Sequence, residues 1–191
     1  MKAWHALGSQ GLLDIYDLHK AIDELQSFDC PARTQPTYGK LCRFFLAYSG
    51  QLKEGPSPGD KRKATKCFQA DCFGRMMGQC VVLEVRGGVS QKVSRQSTNQ
   101  DRKKHRHRAI RTLVEDNRPK VVLCYGKACW KEFECLFKDV GKPQRVPGMA
   151  SKADYKAGWY KGVLVILSHH AVRSSNDYFE WLGRWAASQN K

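Results

Sequence analysis

The stretch VLVILSHH, residues 163–170, sets five aliphatic side chains and a serine directly before a histidine pair. No polar residue interrupts the aliphatic run, so it reads as a strand covered on both faces, the pattern of a buried parallel sheet. Three other runs have the same character: CRFFLAY at Cys42–Tyr48, CVVLEV at Cys80–Val85 and KVVLCY at Lys120–Tyr125. Helical spacing separates them. Leu12, Ile15, Leu18, Ile22 and Leu25 recur every three or four positions, and Ala109, Ile110, Leu113 and Val114 form an apolar face after Asp101, a candidate N-cap. Arg118-Pro119 ends that helix. Ala128–Phe137, with Trp130, Phe133 and Phe137, and Asn176–Ser188, with Phe179, Leu182 and Trp185, predict two more. Strands alternating with helices imply an α/β fold, a three-layer α/β/α sandwich with a four-stranded, mainly parallel central sheet. The connections 49–79 and 86–100 are read as long loops, a length that implies either function or lack of order.

At 191 residues the chain fits a single domain over 1–191, large enough to bury a core without staples. Lysine and arginine number 33 against 18 acidic residues, which gives a net charge of +15. Apolar residues make up 41% and aromatics 10%, too many for a disordered basic tail, so the charge belongs to a basic face on a globular body. Its natural partner is a polyanion: DNA, RNA or an anionic membrane surface. No apolar run is long enough to cross a bilayer, and the start Met1-Lys2-Ala3-Trp4-His5 lacks the features of a secretion signal, so a cytoplasmic protein is expected. Eight cysteines, at 30, 42, 67, 72, 80, 124, 129 and 135, form no paired CxxC set. Cys42, Cys80 and Cys124 fall inside apolar runs. Reduced, mostly buried thiols are the first reading, and an iron–sulfur or zinc site the alternative.

In open α/β sheets ligands bind beyond the carboxyl ends of the strands. The residues just after the four runs are therefore candidates: Tyr48-Ser49-Gly50, Glu84, Tyr125-Gly126 and His169-His170. A carboxylate and a histidine pair at one edge of a basic domain suggest acid, base or electrostatic chemistry on a nucleic acid.

VLVILSHHAVRSSNDYFEWLG, residues 163–183, resembles the last conserved block of the uracil-DNA glycosylase superfamily, where a strand runs into a histidine motif, a later serine and a helix opening with phenylalanine. His169 falls on the catalytic histidine, Ser174 on the serine and Phe179 on the phenylalanine. Arg118-Pro119-Lys120, VVLCYG and Lys127-Ala128 resemble the penultimate strand and its glycine, and the likeness covers about residues 80–190. It implies hydrolysis of an N-glycosidic bond in DNA by a monomer that needs neither metal nor cofactor, with His169 stabilising negative charge on the departing base. Such an aimed donor is worth about 3–4 kcal/mol in a dry site.

The departures carry information. His170-Ala171-Val172 replaces the proline-serine-proline that pinches DNA phosphates, and Arg173 stands where many relatives place a leucine wedge. An arginine can fill the gap left by a flipped base or pair with a phosphate. Glu84 falls where uracil is read by an asparagine, and an ionised carboxylate accepts from the cytosine N4 amino group instead. A modified cytosine, such as the glucosylated hydroxymethylcytosine of phage DNA, is therefore the first substrate implied, as in an antiphage glycosylase; uracil or another damaged base is the second. The usual water-activating carboxylate is not evident. Ser49 occupies that region with Gln51, and Asp60 and Asp71 follow as substitutes.

Tyr48, Phe68 and Phe73 are candidates to stack on the base, although core packing explains the two phenylalanines equally well. In the run Arg102–Arg108, Lys103, Lys104, Arg106 and Arg108 sit at the start of a helix, where the macrodipole disfavours positive charge. Helix stability does not explain them, so phosphate contact does, joined by Lys127, His170, Arg173 and Ser174. Each reading has a plainer counterpart: strand-end histidines, an edge glutamate, a solvated basic face. A non-catalytic basic DNA-binding protein is the rival function, and a thiol redox or metal protein the third.

Overall fold

A computed structural model describes residues 36–52, 55–73, 80, 100–149, 153–171 and 174–190. In chain order they form α1 (Pro36–Tyr48), α2 (Pro58–Asp71), α3 (Gln100–Asn117), β1 (Val121–Tyr125), a 3-10 turn (Lys127–Cys129), α4 (Trp130–Phe137), β2 (Gln144–Arg145), β3 (Asp154–Tyr160), β4 (Val163–Ser168) and α5 (Asn176–Gln189). One compact unit gathers α1, α2 and α5; a second gathers α3, α4 and the four strands. The helix expected at Leu12–Leu25, the strand at 81–85 and most of the loop 86–100 lie outside the described residues.

In the first unit the structure corrects one strand. Cys42–Tyr48 is the second half of α1. Seven mostly apolar residues are ambiguous between a buried strand and a buried helix, and tertiary packing overrides the β preference of phenylalanine and tyrosine. Two local signals favour the helix. Pro36 occupies its first position, where a missing N–H costs nothing, and Gly50, at φ +72°, stops it with its N–H on the Ala47 carbonyl. Helix α1 packs on α5 so closely that a Cβ on Gly183 would lie 2.3 Å from the Phe44 carbonyl oxygen. Glu180, 2% exposed, ties the unit together: Arg43 of α1 pairs with its Oε1, and Lys61 of α2 reaches Oε2 at 2.8 Å.

The expected loop 49–79 is corrected too, since α2 fills 58–71. Its start is a capping arrangement: Ser57 Oγ accepts from the Asp60 N–H at 3.2 Å and donates to Asp60 Oδ2 at 2.8 Å, with Pro58 opening the helix.

The second unit holds a four-stranded mixed sheet in the order β1-β4-β3-β2. β1 and β4 are parallel, from Val121 opposite Leu164 to Tyr125 opposite Ser168. β4 and β3 form an antiparallel hairpin around Lys161-Gly162, and β2 adds a short antiparallel edge. One of these three described pairings is parallel, so a mixed sheet replaces the mainly parallel one expected. The physical reason is the two-residue connection: a parallel neighbour needs a long crossover, whereas Lys161 and Gly162, at φ +48° and +82°, make the tight turn of a hairpin. The expected helices over 101–117, 128–137 and 176–188 are present with small shifts of boundary. All six residues of β4 are buried. Val163, Val165 and Leu167 meet Ile110 and Val114 of α3 and Trp130, Phe133 and Phe137 of α4 in one apolar core.

Candidate functional site

The parallel register brings the residues after β1 and those after β4 out at the same edge of the sheet. Gly126 adopts φ +111°, a conformation costly for any residue with a Cβ, and its N–H donates to the Ser168 carbonyl at 3.0 Å. The Trp130 indole N–H donates to the same carbonyl at 2.9 Å. Two donors on one oxygen fix the end of β4, and with it the point where His169 leaves the sheet.

β3 supplies the partner. Its register with β4 pairs Tyr160 with Val163 and Lys156 with Leu167, and two residues further the same register sets Asp154 opposite His169. There the His169 Nε2 and Asp154 Oδ1 are hydrogen-bonded, while Lys127 Nζ reaches Asp154 Oδ2 at 2.8 Å. The His169 and Trp130 rings meet edge to face, 5.9 Å between centroids and 79° between planes. Lys127 and Lys156 lie 5.1 and 5.5 Å from the Trp130 ring centre, and Lys156 also pairs with Glu134.

Partial burial of Asp154 acts to raise its pKa, but the hydrogen bonds from Lys127 and His169 outweigh it and hold the carboxyl below the ordinary range. Asp154 is therefore ionised at neutral pH, a fixed negative charge against an imidazole. The two side chains remain 20% and 17% exposed, so the pair is supported by the fold yet reachable. A carboxylate that orients a histidine suits general acid–base or electrostatic chemistry. Among the described residues no group of three or more histidine, cysteine, aspartate or glutamate side chains is placed to hold a metal.

Of the residues expected from sequence, His169, His170 and Lys127 share this edge. His170 is exposed, with its ring 6.1 Å from that of Tyr125. Lys104 and Arg108 are exposed on α3, Arg106 is half-buried there, and Lys103 lies on the same helical backbone. The others that are described belong to the first unit. Tyr48 and Ser49 end α1 rather than a strand, which removes the strand-edge argument for them; Ser49 Oγ donates to the Leu46 carbonyl at 3.2 Å. Asp60 is exposed in the cap of α2. Phe68 and Phe73 are both buried, and Phe73 packs against the rings of Tyr38 and Phe45, so of the two readings left open for them core packing fits. Ser174 accepts from Lys40 Nζ at 2.6 Å through its carbonyl. Glu84 and Arg173 lie outside the described residues.

Asp154 is what the sequence reading missed. A partial signal was present in WYKGVLVIL, residues 159–167, where Gly162 separates an aromatic from an aliphatic run and suits the positive φ of a tight turn, although Lys161 is not a typical first turn residue. Counting back along that hairpin from His169 leads to Asp154.

Of the seven described cysteines, the three set in apolar runs are buried, whereas Cys72 and Cys129 are half-buried and Cys67 and Cys135 exposed, so the expectation of mostly buried thiols holds only for the apolar runs. Cys42, Cys80 and Cys124 are buried and unpaired with one another; burial pushes the Cys80 thiol up to about 12 and raises the other two strongly. No helix among the described residues is long and apolar enough to cross a membrane. No protein-family model, no curated protein and no solved structure matches the chain.

Proposed function

We propose that this chain is a monofunctional DNA glycosylase that flips a base from DNA and hydrolyses its N-glycosidic bond, leaving an abasic site. The observation that carries the reading is the Asp154–His169 pair at the end of β4, with Lys127 beside it. As the glycosidic bond breaks, the base takes up negative charge and the sugar becomes oxocarbenium-like. His169, oriented by Asp154, offsets the first charge, and the Asp154 carboxylate and the DNA phosphates offset the second. Water then adds to C1′ of the sugar cation and its proton passes to the departed base anion, leaving the abasic site and the free base, so that Asp154 is the carboxylate nearest the chemistry in place of Ser49 and Asp60.

The basic face of α3 grips the backbone, so affinity falls with added salt, and discrimination between bases rests on other residues, with Glu84 first among them. A modified cytosine such as glucosylated hydroxymethylcytosine in phage DNA is the leading substrate, and uracil the second. The same reading carries the finer architecture of a three-layer sandwich, with residues 1–191 acting as one cytoplasmic, monomeric domain.

The test is incubation with duplexes containing uracil, hydroxymethylcytosine or glucosylated hydroxymethylcytosine, followed by alkaline cleavage and mass analysis of the released base. Release that is lost in His169→Ala, with DNA binding retained, supports the reading. Salt-sensitive binding with no release from any of these duplexes replaces it with a non-catalytic DNA-binding protein. Glu84→Asn shifts preference towards uracil if Glu84 reads the base.

A further inference from the structure

At the other end of β4, about 17–20 Å along the strand from His169 at 3.3 Å per residue, a cavity of about 260 Å³ opens beside the β3–β4 turn. Val114, Glu115 and Arg118 from the end of α3 line it, together with Tyr160, Lys161 and Val163. Glu115 is already committed. Its Oε2 takes Lys161 Nζ at 2.8 Å, and the Tyr160 hydroxyl donates to Oε1. These two bonds hold the Glu115 carboxyl below its usual range. Arg118 is exposed at the mouth, and no described side chain engages its guanidinium.

Backbone conformation adds a second, independent observation. Arg118 and Lys161 both sit at positive φ, +42° and +48°. Glycine or asparagine would occupy either place at lower cost, yet the sequence puts a cation at each, and both line one cavity. Arg111 also acts on Glu115 and Lys161. Within the lining Arg118 and Lys161 face one carboxylate, Glu115, a balance of +1, and Arg111 adds a further cation nearby outside the lining. The excess favours an anionic ligand, and Val114 and Val163 offer an apolar wall for a small organic group.

We propose that this cavity binds the phosphate of a small phosphate monoester through Arg118 and Lys161, separately from the chemistry at His169. A guanidinium fork and a flexible ammonium are the two side chains suited to a tetrahedral oxyanion. The expected result is that inorganic phosphate and adenosine monophosphate raise the melting temperature of the full chain above that in chloride of equal ionic strength. Lys161→Gly and Arg118→Asn remove the cations while suiting the left-handed backbone, so both variants fold. Each weakens phosphate binding roughly ten- to a hundredfold, the loss of a charge-assisted bond.

A phosphate response retained undiminished in both variants overturns the proposal, as does the absence of any response in the native chain. If phosphate and the monoester have no effect while duplex DNA binding falls in Arg118→Asn, the cavity contacts backbone phosphate and the monoester assignment is overturned. None of these readouts depends on base release, so they stand or fall apart from the glycosylase reading.

Discussion

Replacing Glu180 with glutamine tests whether the helices of the first unit are held by a buried charge. The Glu180 side chain is 2% exposed, whereas its partners Arg43 and Lys61 retain 13% and 22%. Removing one partner of a buried ion pair costs about 3–5 kcal/mol when the remaining charge is sealed from water. Here the remaining charges are the two cations, and both can turn partly towards solvent, which lowers the expected cost to about 2–4 kcal/mol. For a chain of this size that is a fall in melting temperature of roughly 5–15 °C. The assay is urea unfolding followed by circular dichroism, with hydrogen exchange of the α5 amides to localise the loss. The decisive comparison is Glu180→Gln in an Arg43→Met, Lys61→Met background. There the carboxylate has no cation to meet, and its removal is neutral or stabilising. A loss below about 1 kcal/mol in the single variant, or an equal loss in both backgrounds, would refute the account of Glu180 as the tie between α1, α2 and α5.

Three further outcomes follow from the structure. Gly158→Ala destabilises by about 1–3 kcal/mol, because the added Cβ would lie 2.3 Å from the Asp139 carbonyl oxygen and 2.9 Å from Val140 Cα, atoms of backbone that must move; thermal unfolding unchanged within 1 °C would contradict that geometry. The Asp154 pKa is lowered on folding, so its contribution to stability is present above the unfolded value near about pH 4 and lost as pH falls through the folded one; Asp154→Asn flattens the stability profile in that acid range, and a profile identical to the native one argues against the pairing with Lys127 and His169. Under native conditions iodoacetamide modifies the exposed Cys67 and Cys135, while Cys42, Cys80 and Cys124 react only after denaturation, as peptide mass mapping reports; rapid native labelling of Cys124 would refute its burial.

The sheet edge shows how far periodicity carries. β1 and β4 were legible as strands because short runs rich in β-branched residues favour extended backbone, but burial on both faces holds only for β4, since β1 lies at the edge of the described sheet and is mostly half-buried. α3, α4 and α5 were legible because apolar residues at helical spacing define a face. CRFFLAY defeated the same logic: with Arg43 its only charged residue, too few polar positions remain to reveal a period, and Pro36 and Gly50 at its flanks mark the helix. α2 was overlooked behind a basic, glycine-rich composition, although Ser57-Pro58-Gly59-Asp60 is a capping signal.

What the sequence determined by itself is local: the elements with a clear period or cap, the burial of the thiols set in apolar runs, the net basic charge, and the emergence of His169 at the end of a buried strand. The partner of that histidine was decided only in three dimensions. Asp154 lies 15 residues away in a continuous strand whose sequence, DYKAGWY, is weak in alternation, and it reaches His169 because a two-residue turn sets an antiparallel register that carries beyond the last paired residues. Lys127 joins them because β1 pairs in parallel with β4, a choice of neighbour and register made only in the folded sheet, and this places the end of β1 beside the end of β4. Pattern fixes which face a side chain takes within its own element; strand pairing decides which side chains meet.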